Sequence, residues 1–273
     1  MKTKLILVGA NGRMGQEISA LAAPKYDIIS IDPNGQADFA SIQDFMTATT
    51  TPSANAATPP TGGVGATTQA SPVGEGNRGA VEGFALIDVS HHTMAAEIAA
   101  FVAEHKIPAV IATTGYTETE LAAIRTAARE APLFQSGNTS IGAALLVDLA
   151  HKAASVMENA DIEIIETHHN TKLDAPSGTA LMLADSIRRA RPELTPKHGR
   201  SGIGKREPNE LGIHSLRTGN VIGDHEVVIS TPTQTITLTH HAHSRTLFAE
   251  GALAALEFIL GQAPGLYGMA DLI

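Results

Sequence analysis

A short segment that combines two histidines, a lysine and a helix start carries the most specific chemical signal of the sequence. His168 and His169 end an alternating run typical of a strand, and Lys172 follows shortly after. An imidazole titrates near neutral pH, so a histidine here can exchange a proton. Free backbone N–H groups at the start of the next helix can bind an anion. The segment predicts a site that protonates a small anionic substrate and grips its carboxylates, with the helix start supplied by Ser177, Gly178 and Thr179.

Each polar group in and near this segment also has a structural interpretation. Neighbours in a strand point to opposite faces, so at most one of the paired histidines should face a given substrate. Lys172 can be a solvated surface charge, and for Asp174 we favour a helix N-cap. His240, His241 and His243 suggest a metal site, but zinc needs three or four convergent ligands and the chain has no cysteine. No metal is predicted.

A glycine-rich turn lies between the first predicted strand and the first predicted helix. Its glycines permit a tight turn and let the backbone approach a pyrophosphate at the helix N-terminus. Asp32 ends the second predicted strand, where a carboxylate can hydrogen-bond the ribose of an adenosine. The alternative is a glycine-rich turn without a ligand, but the flanking strand, helix and acid favour a dinucleotide. The candidate cofactor residues here are Gly9, Ala10, Asn11, Gly12, Arg13, Met14 and Asp32.

The residues after Asp32 bear on the choice of cofactor. They are Pro33, Asn34 and Gly35, so no basic residue follows directly. An adenosine 2′-phosphate would therefore meet a carboxylate without a neighbouring cation, which favours NADH over NADPH. Arg13 or the two lysines near the N-terminus can still supply a charge from elsewhere, so the cofactor is NADH or NADPH.

Two further polar turns follow predicted strands, at the carboxyl edge where doubly wound folds bind ligands. Such a turn would look much the same in an ordinary strand-to-helix connection. In a dinucleotide-binding protein these turns would contact the nicotinamide half. The candidates are Ala112, Thr113, Thr114, Ser136, Gly137, Asn138 and Thr139.

Composition narrows the class of protein. The chain has 273 residues and a formal net charge of −9, which argues against nucleic acid because phosphate binding needs basic contacts. No apolar run approaches the length of a membrane span. The apolar run at residues 5–8 is too short for a signal peptide and precedes the glycine turn, so we predict a buried strand there. A cytoplasmic protein without membrane contact is expected.

Strands alternate with helices in the first half of the chain, which predicts a Rossmann-like, doubly wound parallel sheet. The second half alternates with period two, which predicts an α+β domain on a mostly antiparallel sheet with hairpin turns at 218–220 and 222–224. The last long helix, at 247–260, is expected to pack on the first domain. The predicted dinucleotide-binding domain is 1–138 plus 241–273, and the substrate-binding and oligomerisation domain is 139–240. Residues 47–79, rich in Ala, Thr, Pro, Gly and Ser, predict a flexible insertion, or alternatively a lid.

The motifs together resemble the 4-hydroxy-tetrahydrodipicolinate reductase (dihydrodipicolinate reductase) family. The matching segments are residues 9–15, 112–115, 138–142, 244–252 and, most specifically, the His-His-x-x-Lys-x-Asp-Ala-Pro-Ser-Gly-Thr run at 168–179. The resemblance spans the chain except the insertion. Thr139 replaces a bulkier apolar residue of the family, and Ser90-His91 replaces a Thr-Arg pair.

The resemblance implies hydride transfer from NADH or NADPH to a small cyclic unsaturated dicarboxylate, giving tetrahydrodipicolinate in the diaminopimelate route to lysine, by a homotetramer. His168 falls on the family's general acid/base position, Lys172 on its proton donor and His169 on a substrate contact. Ser177, Gly178 and Thr179 fall on the carboxylate-binding loop. Two alternatives stay open. One is another NAD(P)-dependent dehydrogenase of a small carboxylate, and the other is a non-catalytic redox sensor that binds a dinucleotide.

Overall fold

A computed structural model describes residues 2–50 and 83–273 of the chain. The strands are β1 (Lys4–Val8), β2 (Asp27–Ile31), β3 (Phe84–Asp88), β4 (Ala109–Ile111), β5 (Pro132–Gln135), β6 (Asp161–His168), β7 (Thr195–His198), β8 (Glu210–Arg217), β9 (Asp224–Thr231), β10 (Gln234–His241) and β11 (Gly265–Tyr267). The helices are α1 (Arg13–Ala22), α2 (Ile42–Thr50), α3 (Ala95–His105), α4 (Glu118–Ala127), α5 (Ile141–Val156), α6 (Gly178–Ala190), α7 (Thr246–Ile259) and α8 (Met269–Leu272). A 3₁₀ turn, His92–Met94, precedes α3.

The predicted insertion begins too early, because residues 47–50 complete helix α2. The hydroxyl groups of Thr47 and Thr49 donate to the carbonyls of Gln43 and Phe45, 2.8 and 2.9 Å away. A threonine that bonds one turn back in this way is compatible with a helix despite its low propensity. The remainder of the predicted insertion, residues 51–79, lies outside the described residues.

The first sheet has the strand order β11-β5-β4-β3-β1-β2. β1 pairs in parallel with β2 and β3, and β3 pairs in parallel with β4. β3 is buried along its whole length, as expected for a parallel strand covered on both faces. Val8 aligns with Ile31 and with Asp88, so these three strands end at one edge. The predicted doubly wound sheet is confirmed.

The second sheet has the strand order β10-β9-β6-β8-β7. It is mixed: β6 pairs in parallel with β8 and antiparallel with β9, and β7 and β8 are parallel. β6 alternates between buried and half-buried residues, and its inward side chains, Ile162 and Ile164, share a core cluster with residues of α5 and α6. The predicted α+β class is confirmed, with a mixed rather than mostly antiparallel sheet.

The predicted hairpins at 218–220 and 222–224 are wrong. The connection from β8 to β9 passes across β6, which lies between these two strands. The glycines of this connection do mark turns, but the turns belong to a crossover and a tight hairpin joins β9 to β10 instead. A turn signal gives the place of a chain reversal and not the pairing of the strands around it.

The chain divides into two compact units, Met1–Phe134 with Ile259–Leu266 and Gln135–Phe258 with Tyr267–Ile273. The predicted domains, 1–138 plus 241–273 against 139–240, differ from these units mainly in helix α7, which the units place in the second. The hydroxyl of Thr139 donates to the carbonyl of Phe248, 2.7 Å away. A Cβ on Gly251 would collide with the carbonyl oxygen of Thr139. These contacts with Thr139 explain why α7 belongs to the second unit.

In the part of the chain that the structure describes, no helix is both long and apolar enough to cross a membrane. Within residues 2–50 and 83–273, no three His, Cys, Asp or Glu side chains are grouped so that they could hold a metal ion.

Candidate active site

Strand β6 brings Glu166 and His168 to the same face of the second sheet, because residues two apart in a strand share a face. Both side chains are buried: Glu166 is 0% and His168 is 8% exposed. His169 lies just past the strand, with Nδ1 2.7 Å from the hydroxyl of Thr171. The structure therefore separates the two histidines, and His168 is the one held inside.

Glu166 is a residue of the site that the sequence-based candidates omitted. Its Oε2 lies 2.5 Å from Nδ1 of His168 and accepts from Nη1 of Arg217 at 2.9 Å. Its Oε1 accepts from Nη2 of Arg217 at 2.8 Å and from the backbone N–H of Ser177 at 3.1 Å. Burial alone would raise the pKa of Glu166, but hydrogen bonds from Arg217, Ser215 and His168 outweigh it and hold the pKa at about 2. The carboxylate is therefore charged.

His168 is balanced between opposing influences. Burial lowers the pKa of its imidazole, Glu166 raises it, and the positive charges of Lys172 and Arg217 lower it again, so the net shift is downward. The ring of His225 packs edge-on at 5.2 Å between centroids. The result is an imidazole that is enclosed, oriented and not held permanently in its charged form.

His225 and Ser177 connect this histidine to the start of α6. Ser177 is the N-cap of the helix, and its hydroxyl accepts from the N–H of Ala180 at 3.2 Å. The same hydroxyl lies 3.1 Å from Nε2 of His225. Burial lowers the pKa of His225 to about 4, and its buried Nδ1 has no hydrogen-bond partner among the residues that the structure describes. A neutral imidazole is thus packed against the helix cap.

The helix start differs from the prediction in one respect, since Ser177 and not Asp174 caps it. Asp174 instead pairs with Lys172, whose Nζ is 2.8 Å from Oδ1. This contact lowers the pKa of Asp174. The predicted residue Thr179 accepts a hydrogen bond from Nδ2 of Asn138, 2.9 Å away. Lys172, Ser177, Gly178 and Thr179 thus lie on one loop and helix start that follow His168 directly.

In the first unit, the glycine-rich turn packs closely against the backbone that follows β3. Gly9 has a φ of 84°, and a Cβ there would lie 2.8 Å from the backbone of Ser90. Gly12 caps α1 without a side-chain hydrogen bond to the helix, so the first N–H groups have no side-chain cap. Asp32 accepts from the N–H of Asn11 at 3.0 Å and of Asn34 at 2.9 Å. The aspartate thus joins the end of β2 to the turn.

Several of the other predicted cofactor residues have side chains that are hydrogen-bonded within the protein. The hydroxyl of Thr113 donates to Asp88 at 3.0 Å, and burial raises the pKa of that aspartate, which is 1% exposed. Thr114 is exposed, whereas Ala112 is half-buried. In the second unit, Thr139 is 3% exposed and its hydroxyl is hydrogen-bonded to α7, so this hydroxyl is already engaged within the protein.

Ser136 and Gly137 line a cavity of about 520 Å³ in the second unit. The hydroxyl of Ser136 donates to the carbonyl of Asn138 at 2.6 Å, and Oδ1 of Asn138 accepts from the N–H of Ser140 at 2.9 Å. The turn is therefore rigid and leads straight into α5. Arg13 is exposed and Met14 half-buried on α1. His168 and Lys172 do not line this cavity.

Arg217 and His225 come from β8 and β9, far along the chain from the histidine pair, and no sequence motif marks them. Glu166 did carry a signal, since it stands two residues before His168 in a strand. His91 and His92, which follow β3, have ring centroids 4.3 Å apart. Nδ1 of His92 lies 2.9 Å from Glu120 on α4, which indicates a structural contact.

A doubly wound sheet with a glycine turn and a mixed-sheet unit that holds a buried, oriented histidine are features of an NAD(P)-dependent oxidoreductase. Comparison with known proteins agrees. Residues 3–139 match the family described as "Dihydrodipicolinate reductase, N-terminus", and residues 142–273 match "Dihydrodipicolinate reductase, C-terminus". The chain belongs to the 4-hydroxy-tetrahydrodipicolinate reductase (dihydrodipicolinate reductase) family.

Individual relatives match over nearly their whole length. The 4-hydroxy-tetrahydrodipicolinate reductase of Caldanaerobacter subterraneus subsp. tengcongensis is 39% identical, covering 100% of this chain and 99% of that protein. The enzyme of the same name from Clostridium tetani is 36% identical, covering 98% and 96%. A solved dipicolinate-bound dihydrodipicolinate reductase from Paenisporosarcina sp. TG-14 has a TM-score of 0.75 over 100% of both chains at 22% identity. That structure shares the fold.

Proposed function

We propose that this chain catalyses the NAD(P)H-dependent reduction of 4-hydroxy-tetrahydrodipicolinate to tetrahydrodipicolinate, a step of the diaminopimelate route to lysine. One observation carries the proposal: a buried, oriented His168 directly precedes a loop with a lysine and a capped helix start. The relatives that bear the name of this enzyme and match the full chain support it.

The residues divide the chemistry between them. A nicotinamide, when bound, supplies the hydride, and the glycine turn of α1 with Asp32 would hold the adenosine half of such a cofactor. Hydride delivery leaves negative charge on the substrate, so an acid must supply a proton, and His168 is placed for that role with Lys172 close along the chain. The N–H groups that open α6 attract one substrate carboxylate through hydrogen bonds and the helix dipole. Lys172 and His169 bind the rest of the dianion.

The principal test follows loss of reduced-nicotinamide absorbance, with the cyclic substrate made in situ from pyruvate and aspartate semialdehyde by the preceding enzyme. His168→Gln should lower kcat by about a hundredfold or more, because general acids contribute on that scale. The matched control is His214→Gln, since His214 lies in the same sheet and pairs with Glu163 at 2.8 Å, away from the site. It should retain nearly full activity. Absence of turnover in folded wild type would contradict the proposed reaction and favour another dehydrogenase or a redox sensor. Full activity in His168→Gln would show that His168 is not the acid.

The preference for NADH over NADPH is part of this proposal and rests on Asp32. The carboxylate is held by two backbone N–H groups, and within residues 2–50 and 83–273 no side-chain cation donates to it. It would repel an adenosine 2′-phosphate. Asp32→Ser should therefore lower the ratio of the two kcat/KM values, NADH over NADPH, by about tenfold. An unchanged ratio would show that the carboxylate does not select the cofactor.

A homotetramer in the cytoplasm completes the proposal, supported by the family resemblance. Light scattering of the purified chain at several concentrations tests the assembly state. A stable monomer with full activity would contradict it.

A further inference from the structure

We propose that Glu166 and Arg217 form a positioning pair for His168. The pair holds the imidazole in the tautomer that leaves Nε2 for proton exchange, and it ties the acid to the carboxylate-binding start of α6. This inference deepens the proposed function and rests on it for the reaction that His168 serves.

The carboxylate of Glu166 is clamped on both oxygens. Arg217 donates to each oxygen, through Nη1 at 2.9 Å and Nη2 at 2.8 Å. This two-pronged geometry fixes the plane of the carboxylate. Arg217 is itself fixed, because Nη2 also donates to the carbonyl of Asp174 at 2.6 Å. The hydrogen bonds from Arg217 therefore prevent rotation of the Glu166 carboxylate independently of His168.

A carboxylate only accepts hydrogen bonds, so Nδ1 of His168, 2.5 Å from Oε2, must carry the hydrogen. In the neutral ring the lone pair is then on Nε2, and in the charged ring Nε2 carries the proton to be transferred. A Cβ on Gly223 would lie 3.0 Å from this nitrogen. The glycine thus removes the side chain that would crowd it, and Nε2 is the exchanging atom.

The same carboxylate reaches the anion-binding element. Oε1 accepts from the backbone N–H of Ser177 at 3.1 Å, and Ser177 caps α6. The acid and the helix start are thereby fixed to one buried group. A substrate whose carboxylate sits at the helix start therefore presents its proton acceptor at a set distance from His168, which is how orientation lowers a barrier.

The charged groups around His168 shift the pKa of its imidazole in opposite directions. Glu166 on β6 favours the imidazolium, whereas Arg217 on β8 and Lys172 in the following loop disfavour it. His225 on β9 is neutral near pH 7, because burial keeps its pKa at about 4. Without Arg217, Glu166 would retain the proton on the ring. With it, the pair orients His168 and still lets the proton leave.

The test measures the tautomer and pKa of His168 by long-range ¹H–¹⁵N correlation spectra in a pH titration, with His168→Gln to identify its signals. Wild type should show the Nδ1–H tautomer. Glu166→Gln should lower the pKa of His168, and Arg217→Gln should raise it. The matched control is Glu163→Gln, which removes a carboxylate from the same strand that pairs with His214 at 2.8 Å. It should leave the His168 titration unchanged.

Opposite shifts support the pair, because a merely structural role would not move the two variants in opposite directions. Shifts in one direction, no shift, or an Nε2–H tautomer in wild type would overturn it. Should Glu166→Gln not fold, the upward shift in Arg217→Gln stands alone as the test, and its absence overturns the pair.

Kinetics add a second readout. Glu166→Gln should lower kcat by about a hundredfold, the scale of a misplaced catalytic group, and move the pH profile of kcat downward, whereas Glu163→Gln should not. The spectra need no substrate, so the two ideas fail separately. Opposite shifts without turnover of the cyclic substrate by wild type would sink the proposed function and keep the pair. Turnover of the cyclic substrate without the opposite pKa shifts would keep the proposed function and overturn the pair.

Discussion

Replacing Glu166 by Gln should remove a pH-dependent share of the stability of the fold. The pKa of this carboxyl falls from 4.5 to about 2, and a difference of that size corresponds to about 3 kcal/mol. Arg217 is 18% exposed, so solvent screens part of the attraction and we expect about 2 kcal/mol. The folded pKa lies below the unfolded one. The stabilisation is therefore complete above about pH 5 and is lost as the pH falls towards 2.

The measurement is urea unfolding with and without Glu166→Gln in the His168→Gln background, which removes the imidazole that titrates in the same range, at one protein concentration, at pH 7 and about pH 3.5. The amide must also place an NH₂ group against N–H donors, but this cost does not vary with pH. The difference in unfolding free energy should shrink by about 1 kcal/mol at the lower pH, since the unfolded carboxyl is then mostly protonated. The control, Glu163→Gln, loses partly exposed pairs with His214 and Arg206 and should change stability by about 1 kcal/mol or less. A Glu166→Gln difference that is the same at both pH values would refute the reasoning.

Two further substitutions probe local packing and capping. Gly251→Ala should destabilise the chain by about 1–3 kcal/mol in thermal or urea unfolding, since the added Cβ meets the carbonyl of Thr139 and overpacking costs that much. Gly261→Ala is its control, because no atom of the described part of the chain lies within 4 Å of a Cβ there; equal loss in both variants would contradict the contact. Thr117→Ala should cost about 1 kcal/mol by breaking the capping box with Glu120 at the start of α4, and an unchanged unfolding midpoint would argue against it.

The elements of the first unit were largely predictable because each carries its own local pattern. Helix α1, at 13–22, begins directly after the glycine turn, as the sequence predicted. The carboxyl ends of parallel strands meet at one edge whatever their order, so the glycine turn and Asp32 could be placed together from sequence alone. The lower boundary of the insertion was missed because threonine-rich composition hid the last turn of α2.

The second unit was less predictable because strand pairing is a long-range property. Period-two alternation identified β6, β9 and β10 but not that β8 runs parallel to β6. For that reason Arg217 and His225 were missing from the candidate site, although both touch groups that the histidine motif had marked. Glu166 was within reach, since its spacing from His168 puts both on one strand face.

The pairing of β6 with β8 has a consequence for folding. His168 is aligned with Arg217, and Glu166 with Ser215, across two strands separated by α6 and β7. A slip of one residue in this register would turn both acidic and imidazole groups of β6 to the opposite surface, while leaving the backbone ladder hydrogen-bonded. The same slip would turn Ile162 and Ile164 out of their core cluster, so the misaligned chain would lose packing as well as activity. Because this pairing joins strands separated by a long segment, its closure costs more chain entropy than a local pairing, and specific activity reports whether the register is correct.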